Sequence, residues 1–147
     1  MQKRDQKPLV VLISANAKVR EWISRCCVSK KYDYLEFRNG ASFMAVSVKT
    51  GIDVAIIDAR LEDNSEIKLA AKIKEKDKNT RIIIITDKPS ETCEREARSL
   101  GIIYFAIWPE DRDYLKEVFL AAVISRHREQ FWLRRQVSCS INQRACL

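Results

Sequence analysis

The sequence predicts a three-layer α/β sandwich, a five-stranded parallel sheet covered by helices on both faces. Three observations carry that prediction. Apolar runs such as Leu9–Ile13 and Ile82–Ile85 have strand length and lack alternation, as strands buried on both faces do. Each run is followed by a stretch with apolar residues at helical spacing. The strand-then-helix unit occurs five times, and every parallel connection must cross a face of the sheet.

Leu9–Ile13 is the first strand. Residues 17–29 follow as a helix, with Val19, Trp22, Ile23, Cys26 and Cys27 on one side. Tyr32–Phe37 alternates and reads as the second strand. Asn39-Gly40 marks a break, Phe43–Val48 is a short apolar helix, and Gly51 is expected to end it. Ile52–Ile57 forms the third strand and ends in Asp58. Asn64 or Ser65 can cap the next helix, whose face is Ile67, Leu69, Ala70 and Ile73.

Arg81–Ile85 is the fourth strand, β-branched after the arginine. Pro89-Ser90 opens a polar helix that stops at Leu100-Gly101, and Ile102–Ile107 is the fifth strand. Asp111 can cap a last long helix carrying Leu115, Val118, Phe119, Ala122 and Val123. No internal repeat is present. The expected strand order is 2-1-3-4-5, as in flavodoxin-like sheets.

At 147 residues the chain is one domain, with 46% hydrophobic and 32% charged residues. Its apolar runs are too short to span a bilayer, and the polar start, residues 1–7, is no signal peptide. These features predict a cytoplasmic protein without membrane partners. Five cysteines, Cys26, Cys27, Cys93, Cys139 and Cys146, form no CxxC pair and indicate a reduced compartment. With His127 alone, Cys139 and Cys146 make only a weak zinc pattern.

The formal net charge is +7, unevenly placed. Residues 1–7 carry three basic groups and one acidic (+2). Residues 124–147 carry five arginines and one glutamate (+4), leaving +1 for residues 8–123. We therefore divide the chain into a basic arm (1–7), a nearly neutral domain (8–123) and a helical extension or linker with a disordered tail (124–147). Nucleic acid is expected as a partner only through the basic tail or a further output domain.

Open parallel sheets bind ligands at the carboxyl ends of their strands. Here those ends carry Ser14-Ala15-Asn16, Asp58, Thr86-Asp87 and Trp108-Pro109. Asp58 in "VAIIDARL", Thr86 in "IIIITDKP", Phe105 in "GIIYFAIWP" and the spacing between them resemble the receiver domain of bacterial two-component response regulators over residues 8–123. The resemblance implies that the aspartate after the third strand accepts a phosphoryl group from a histidine kinase. It implies Mg²⁺ held by that aspartate and an acidic pair after the first strand. A Thr or Ser after the fourth strand and a Lys before the last Pro bind the phosphoryl oxygens, and an aromatic residue three positions before the Lys changes rotamer. An aspartyl phosphate needs such cations and donors around its charge.

The chain departs from that pattern. Ser14 and Ala15 stand where the acidic pair should be, and Trp108 where the lysine should be. The proline-containing turn after the phosphoacceptor is replaced by Glu62-Asp63-Asn64. Hard Mg²⁺ finds no carboxylate in Ser14 or Ala15. Each missing charged contact costs roughly a hundredfold in rate. Asp58 is thus the candidate phosphoacceptor and a weak metal candidate, with Asp87, Glu62 and Asp63 the groups that could in principle replace the lost metal carboxylates. Thr86 and Phe105 are switch candidates; Ser14, Ala15 and Trp108 are degenerate pocket positions. Asp87, Glu62 and Asp63 read as solvated loop charge, and Trp108 is a candidate to fill the vacated pocket.

The expectation is a degenerate, non-enzymatic receiver domain (a pseudo-receiver) acting as a protein-interaction module, with no cofactor and Mg²⁺ at most weakly bound. Its expected partners are a histidine kinase or an output domain. The alternative is a receiver still phosphorylated at Asp58. A nucleotide or flavin binder lacks a glycine-rich loop, with only 3 Gly in the chain. An aspartyl hydrolase needs an acid where Arg60 stands. The last helix is expected to run past Val123 to about Arg135, with disorder beyond Val137. Phe131, Trp132 and Leu133 on the extension are expected to form a homodimer interface.

Overall fold

The computed structural model describes residues 7–46, 51–60, 66–88 and 90–145, with side chains to Arg126 and again at Arg128 and Glu129. Five strands, β1 (Leu9–Ile13), β2 (Asp33–Phe37), β3 (Val54–Asp58), β4 (Arg81–Thr86) and β5 (Tyr104–Ile107), alternate with five helices. These are α1 (Ala17–Lys30), α2 (Gly40–Ala45), α3 (Glu66–Lys76), α4 (Glu91–Ser99) and α5 (Arg112–Ala145). The sheet is parallel throughout, in the order β2-β1-β3-β4-β5.

Successive residues of a strand face opposite ways, and this alternation divides the core into two layers. Val10, Leu12, Val54, Ile56, Ile83, Ile85 and Ala106 meet Val19, Ile23 and Cys27 of α1 and Leu115 and Phe119 of α5. Val11, Ile13, Ala55, Ile57, Ile82 and Ile84 meet Phe43 of α2, Leu69, Ala70 and Ile73 of α3, and Ala97 of α4. All five residues of β3 are buried, which explains its unbroken apolar run.

Local chemistry sets the helix starts. Asn16 Oδ1 accepts from the N–H groups of Lys18 (2.9 Å) and Val19 (3.1 Å), capping α1. Asn39 and Ser90 cap α2 and α4 in the same way. Asn64 and Ser65, the expected caps of α3, lie outside the described residues. Asp111 precedes α5, but its carboxylate turns back to accept from the N–H of Ile107 at 3.0 Å. It therefore fastens the end of β5 instead of capping the helix.

Two boundaries differ from the sequence expectation. Helix α2 stops at Ala45, and Gly51, with φ +88°, belongs to the approach to β3. Helix α5 continues to Ala145, past the point where periodicity fades after Val137. No Gly or Pro lies between Pro109 and Leu147 to break it. The body also holds α5 beyond Val123. Arg126 Nη2 donates to Asp77 Oδ2 at 2.9 Å, and Arg81 Nη2 donates to Glu129 Oε2 at 2.7 Å. Phe131, Trp132 and Leu133 fall where side chains are outside the described set. Among the described residues no helix is long and apolar enough to cross a membrane.

Candidate functional site

The register of the sheet builds the site. Ile13 pairs with Ile57, so the next residues, Ser14 and Asp58, stand side by side at the carboxyl edge. Asp58 is 1% exposed, and Ser14 is fully buried. Ser14 Oγ donates to Asp58 Oδ2 at 2.7 Å. A buried carboxylate beside only a neutral hydroxyl would be severely destabilised.

Arg60 resolves that problem. Its Nε donates to Asp58 Oδ1 at 2.8 Å and its Nη2 to Oδ2 at 2.8 Å, the two-pronged geometry in which Arg binds a carboxylate. The Arg60 backbone N–H adds a bond to Oδ1 at 3.0 Å. Asp58 therefore accepts four hydrogen bonds, two on each oxygen. The bond to Asp58 pushes the guanidinium further above its already high value, outweighing the opposing effect of burial. The guanidinium is thereby fixed as a cation.

The sequence alone marks Arg60 only as the wrong residue for a hydrolase. The signal was an Asp-x-Arg triplet leaving a strand, in which side chains two apart share a side. Charge pairs of that kind produce no periodicity.

Ala15 is exposed and offers no side-chain donor or acceptor. Thr86 is buried, but its hydroxyl donates to the Lys88 carbonyl (3.0 Å) and accepts from the Lys88 N–H (3.1 Å), a local turn that keeps it within its own loop. Phe105 is half-buried and packs against the layer of α2, α3 and α4. Asp87 is exposed, while Glu62 and Asp63 lie outside the described residues.

Trp108 requires a correction. It does not fill a pocket over Asp58: its ring meets Trp22 of α1 edge-on, centroids 5.5 Å apart, within the α1/α5 layer. The cause is strand alternation, since Trp108 lies two residues beyond Ala106, which faces the same layer. Arg60, not an indole, covers the carboxylate.

The donor set can be compared with what Mg²⁺ needs. Among the described residues Asp58 is the one carboxylate against Ser14, both of its oxygens are already bonded, and Ala15 offers no side-chain ligand. Octahedral oxygen coordination is not met by these residues.

The sequence profile of the response regulator receiver domain matches residues 10–119. No curated protein matches the chain. Solved structures are similar in fold. The signal receiver domain of an HD domain-containing protein from Pseudomonas fluorescens Pf-5 superposes with a TM-score of 0.75 at 18% identity, covering 88% of this chain and 96% of that one. A CheY-like response regulator receiver domain protein from Methanospirillum hungatei JF-1 gives 0.71 at 13%, covering 84% and 99%. The chemotaxis response regulator CheY4 of Vibrio cholerae gives 0.68 at 17%, covering 80% and 99%. With a matching profile over most of its length and the sheet order 2-1-3-4-5, this chain belongs to the response regulator receiver domain family.

Proposed function

We propose that this receiver domain signals through protein contacts and does not depend on phosphorylation at Asp58. One observation carries the proposal: Arg60 and Ser14 saturate both oxygens of Asp58. An attacking carboxylate oxygen must be free to approach phosphorus. Here each lone-pair direction is engaged, and the cation that would stabilise an arriving phosphoryl group is a fixed side chain instead of a mobile Mg²⁺. The domain is accordingly a cytoplasmic, non-catalytic module with no cofactor, and Mg²⁺ has no role in it.

Its partners are proteins, a histidine kinase or an output domain, together with a second copy of the chain. Support for pairing comes from exposed apolar residues at Ile103 beside β5 and at Tyr114 and Ile124 on α5. Nucleic acid enters only through the basic tail or an output domain.

Incubation with Mg²⁺ and acetyl phosphate, followed by intact-mass analysis, tests the central statement. The expected result is no phosphoryl adduct in the parent. A stoichiometric adduct lost in Asp58→Asn would establish the opposite, a receiver that is phosphorylated despite the clamp.

A further inference from the structure

At the amino edge of the sheet, opposite Asp58, α2 and α3 leave a shallow groove. Phe43, Ile52 and Ile73 are buried beneath it. Met44 and Val46, at the end of α2, line it while 42% and 48% exposed. Lys72 and Lys76 line it from α3. They lie one turn apart, both are exposed, and neither forms an ion pair among the described residues. Asp77 beside them is already engaged. It accepts from Arg126 of α5 at 2.9 Å and from the Asn79 N–H at 2.9 Å.

Size and charge together narrow the occupant. The enclosed space is about 30 Å³, room for a water but not for an organic ligand. An occupant therefore lies across the groove as the surface of a larger molecule. Exposed apolar residues beside two unpaired cations call for apolar side chains flanked by carboxylates. Lysines one turn apart match carboxylates one turn apart on a second helix, and the lysine stems add apolar wall. Two lysines are few for a nucleic acid, and Met44 and Val46 offer no ring on which bases could stack. We propose that the α2/α3 groove docks an amphipathic helix of a partner protein, its apolar side on Met44 and Val46 and an acidic pair on Lys72 and Lys76.

Such a partner also bears on α5. Asp77 lines the groove and holds Arg126, so docking meets an anchor of the last helix at the edge opposite Asp58. The inference stands whether or not Asp58 takes up phosphate.

The probe is an acetylated, amidated model helix with leucines on one side and two glutamates one turn apart beside them. It is titrated into the full chain and followed by amide NMR. The expected result is a saturable shift at Met44, Val46, Lys72, Lys76 and Asp77. The same peptide with glutamine for glutamate should bind about fivefold more weakly, a difference that high salt erases. Lys72→Glu with Lys76→Glu, changes at exposed positions, should lose the glutamate peptide and bind one carrying lysines instead. Absence of saturation, shifts centred on Ile103, Tyr114 and Ile124, equal affinity for the glutamine peptide, or failure of the charge swap would each overturn the assignment. Tighter binding of oligo-dT at the same residues would give the groove to nucleic acid. Concentration-dependent shifts there in the chain alone would give it to a second copy. Either result would remove the partner proposed.

Discussion

Arg60 and Asp58, separated only by Ala59, form a two-pronged ion pair whose bonds, Nε to Oδ1 and Nη2 to Oδ2, both measure 2.8 Å. The carboxylate is buried and the guanidinium side chain is 24% exposed, so the pair closes the edge of the sheet like a plug with one wet face. The cation set against Asp58 is part of the chain itself. That has consequences for stability, for attempts to restore the chemistry, and for how the domain is read.

Removing the plug should destabilise the fold. Arg60→Ala leaves a buried carboxylate with only the Ser14 hydroxyl and the backbone N–H of residue 60 as partners, and is expected to cost about 2 kcal/mol, moderated because Arg60 is partly wet. Arg60→Lys should lose less but not recover fully, since an ammonium cannot make the parallel bonds. Adding Asp58→Asn to Arg60→Ala should recover part of the loss. Urea midpoints measure all three variants. An unchanged midpoint in Arg60→Ala would mean that water satisfies Asp58 as well as the guanidinium does.

Restoring phosphate chemistry should require removal of Arg60. The triple variant Ser14→Asp, Ala15→Asp, Trp108→Lys supplies the acidic pair and the lysine, yet leaves the guanidinium on Asp58. It should remain nearly inert toward acetyl phosphate. Adding Arg60→Ala should permit uptake at Asp58. Three crowded carboxylates repel without metal, so Mg²⁺ should raise the melting temperature of the quadruple variant and not of the parent. Equal uptake in the triple and quadruple variants would remove Arg60 from the explanation.

The contrast between what was legible and what was not follows from the range of each interaction. Buried strands declare themselves by local composition, and the β3 run ending at Asp58 located the carboxyl edge correctly. Ser14 beside Asp58 follows from sheet order and register, which the repeated strand–helix unit implies. Arg60's role depends on a rotamer choice after the strand ends, and no period encodes it. The Arg126–Asp77 and Arg81–Glu129 pairs join positions 49 and 48 residues apart. Hydropathy stops speaking at Val123, while the charges go on holding the helix. Trp108 was misplaced because the family's lysine position was followed instead of the alternation from Ala106.

Alkaline pH should weaken the domain before strong base is reached. Burial pushes the Cys27 thiol up to about 12, with further elevation from Cys26. Cys26, Tyr32 and Tyr34 are also raised, each chiefly by burial. These groups keep their protons in the folded state and lose them earlier when unfolded. Their contribution is therefore fully present below the unfolded thiol value of 9.0 and is lost as pH rises through about 12. Denaturant midpoints should fall over that window, and Cys27→Ala should flatten the decline. A midpoint independent of pH there would show that the thiol and phenols are not sealed.

The last helix yields a prediction about assembly in which truncation point matters. Cutting after Val123 removes Arg126 and Glu129, the anchors to Asp77 and Arg81, and should lower stability regardless of any interface. Arg126 is 4% exposed, and its Nε and Nη1 have no partner, so its pair with Asp77 is an imperfectly compensated buried ion pair. Arg126→Ala removes the cation from Asp77, which keeps the Asn79 N–H and some solvent contact, and empties the buried arginine's space; it should cost about 1–2 kcal/mol, whereas Arg126→Met with Asp77→Asn should cost less. Cutting after Gln130 keeps both anchors and removes the rest of the helix with Phe131, Trp132 and Leu133. If those residues drive pairing, the full chain is a dimer at micromolar concentration and the chain ending at Gln130 is a folded monomer, both read by light scattering. A dimer that survives the cut would place the interface on Ile103, Tyr114 and Ile124, and a monomeric full chain would remove self-association from the function altogether.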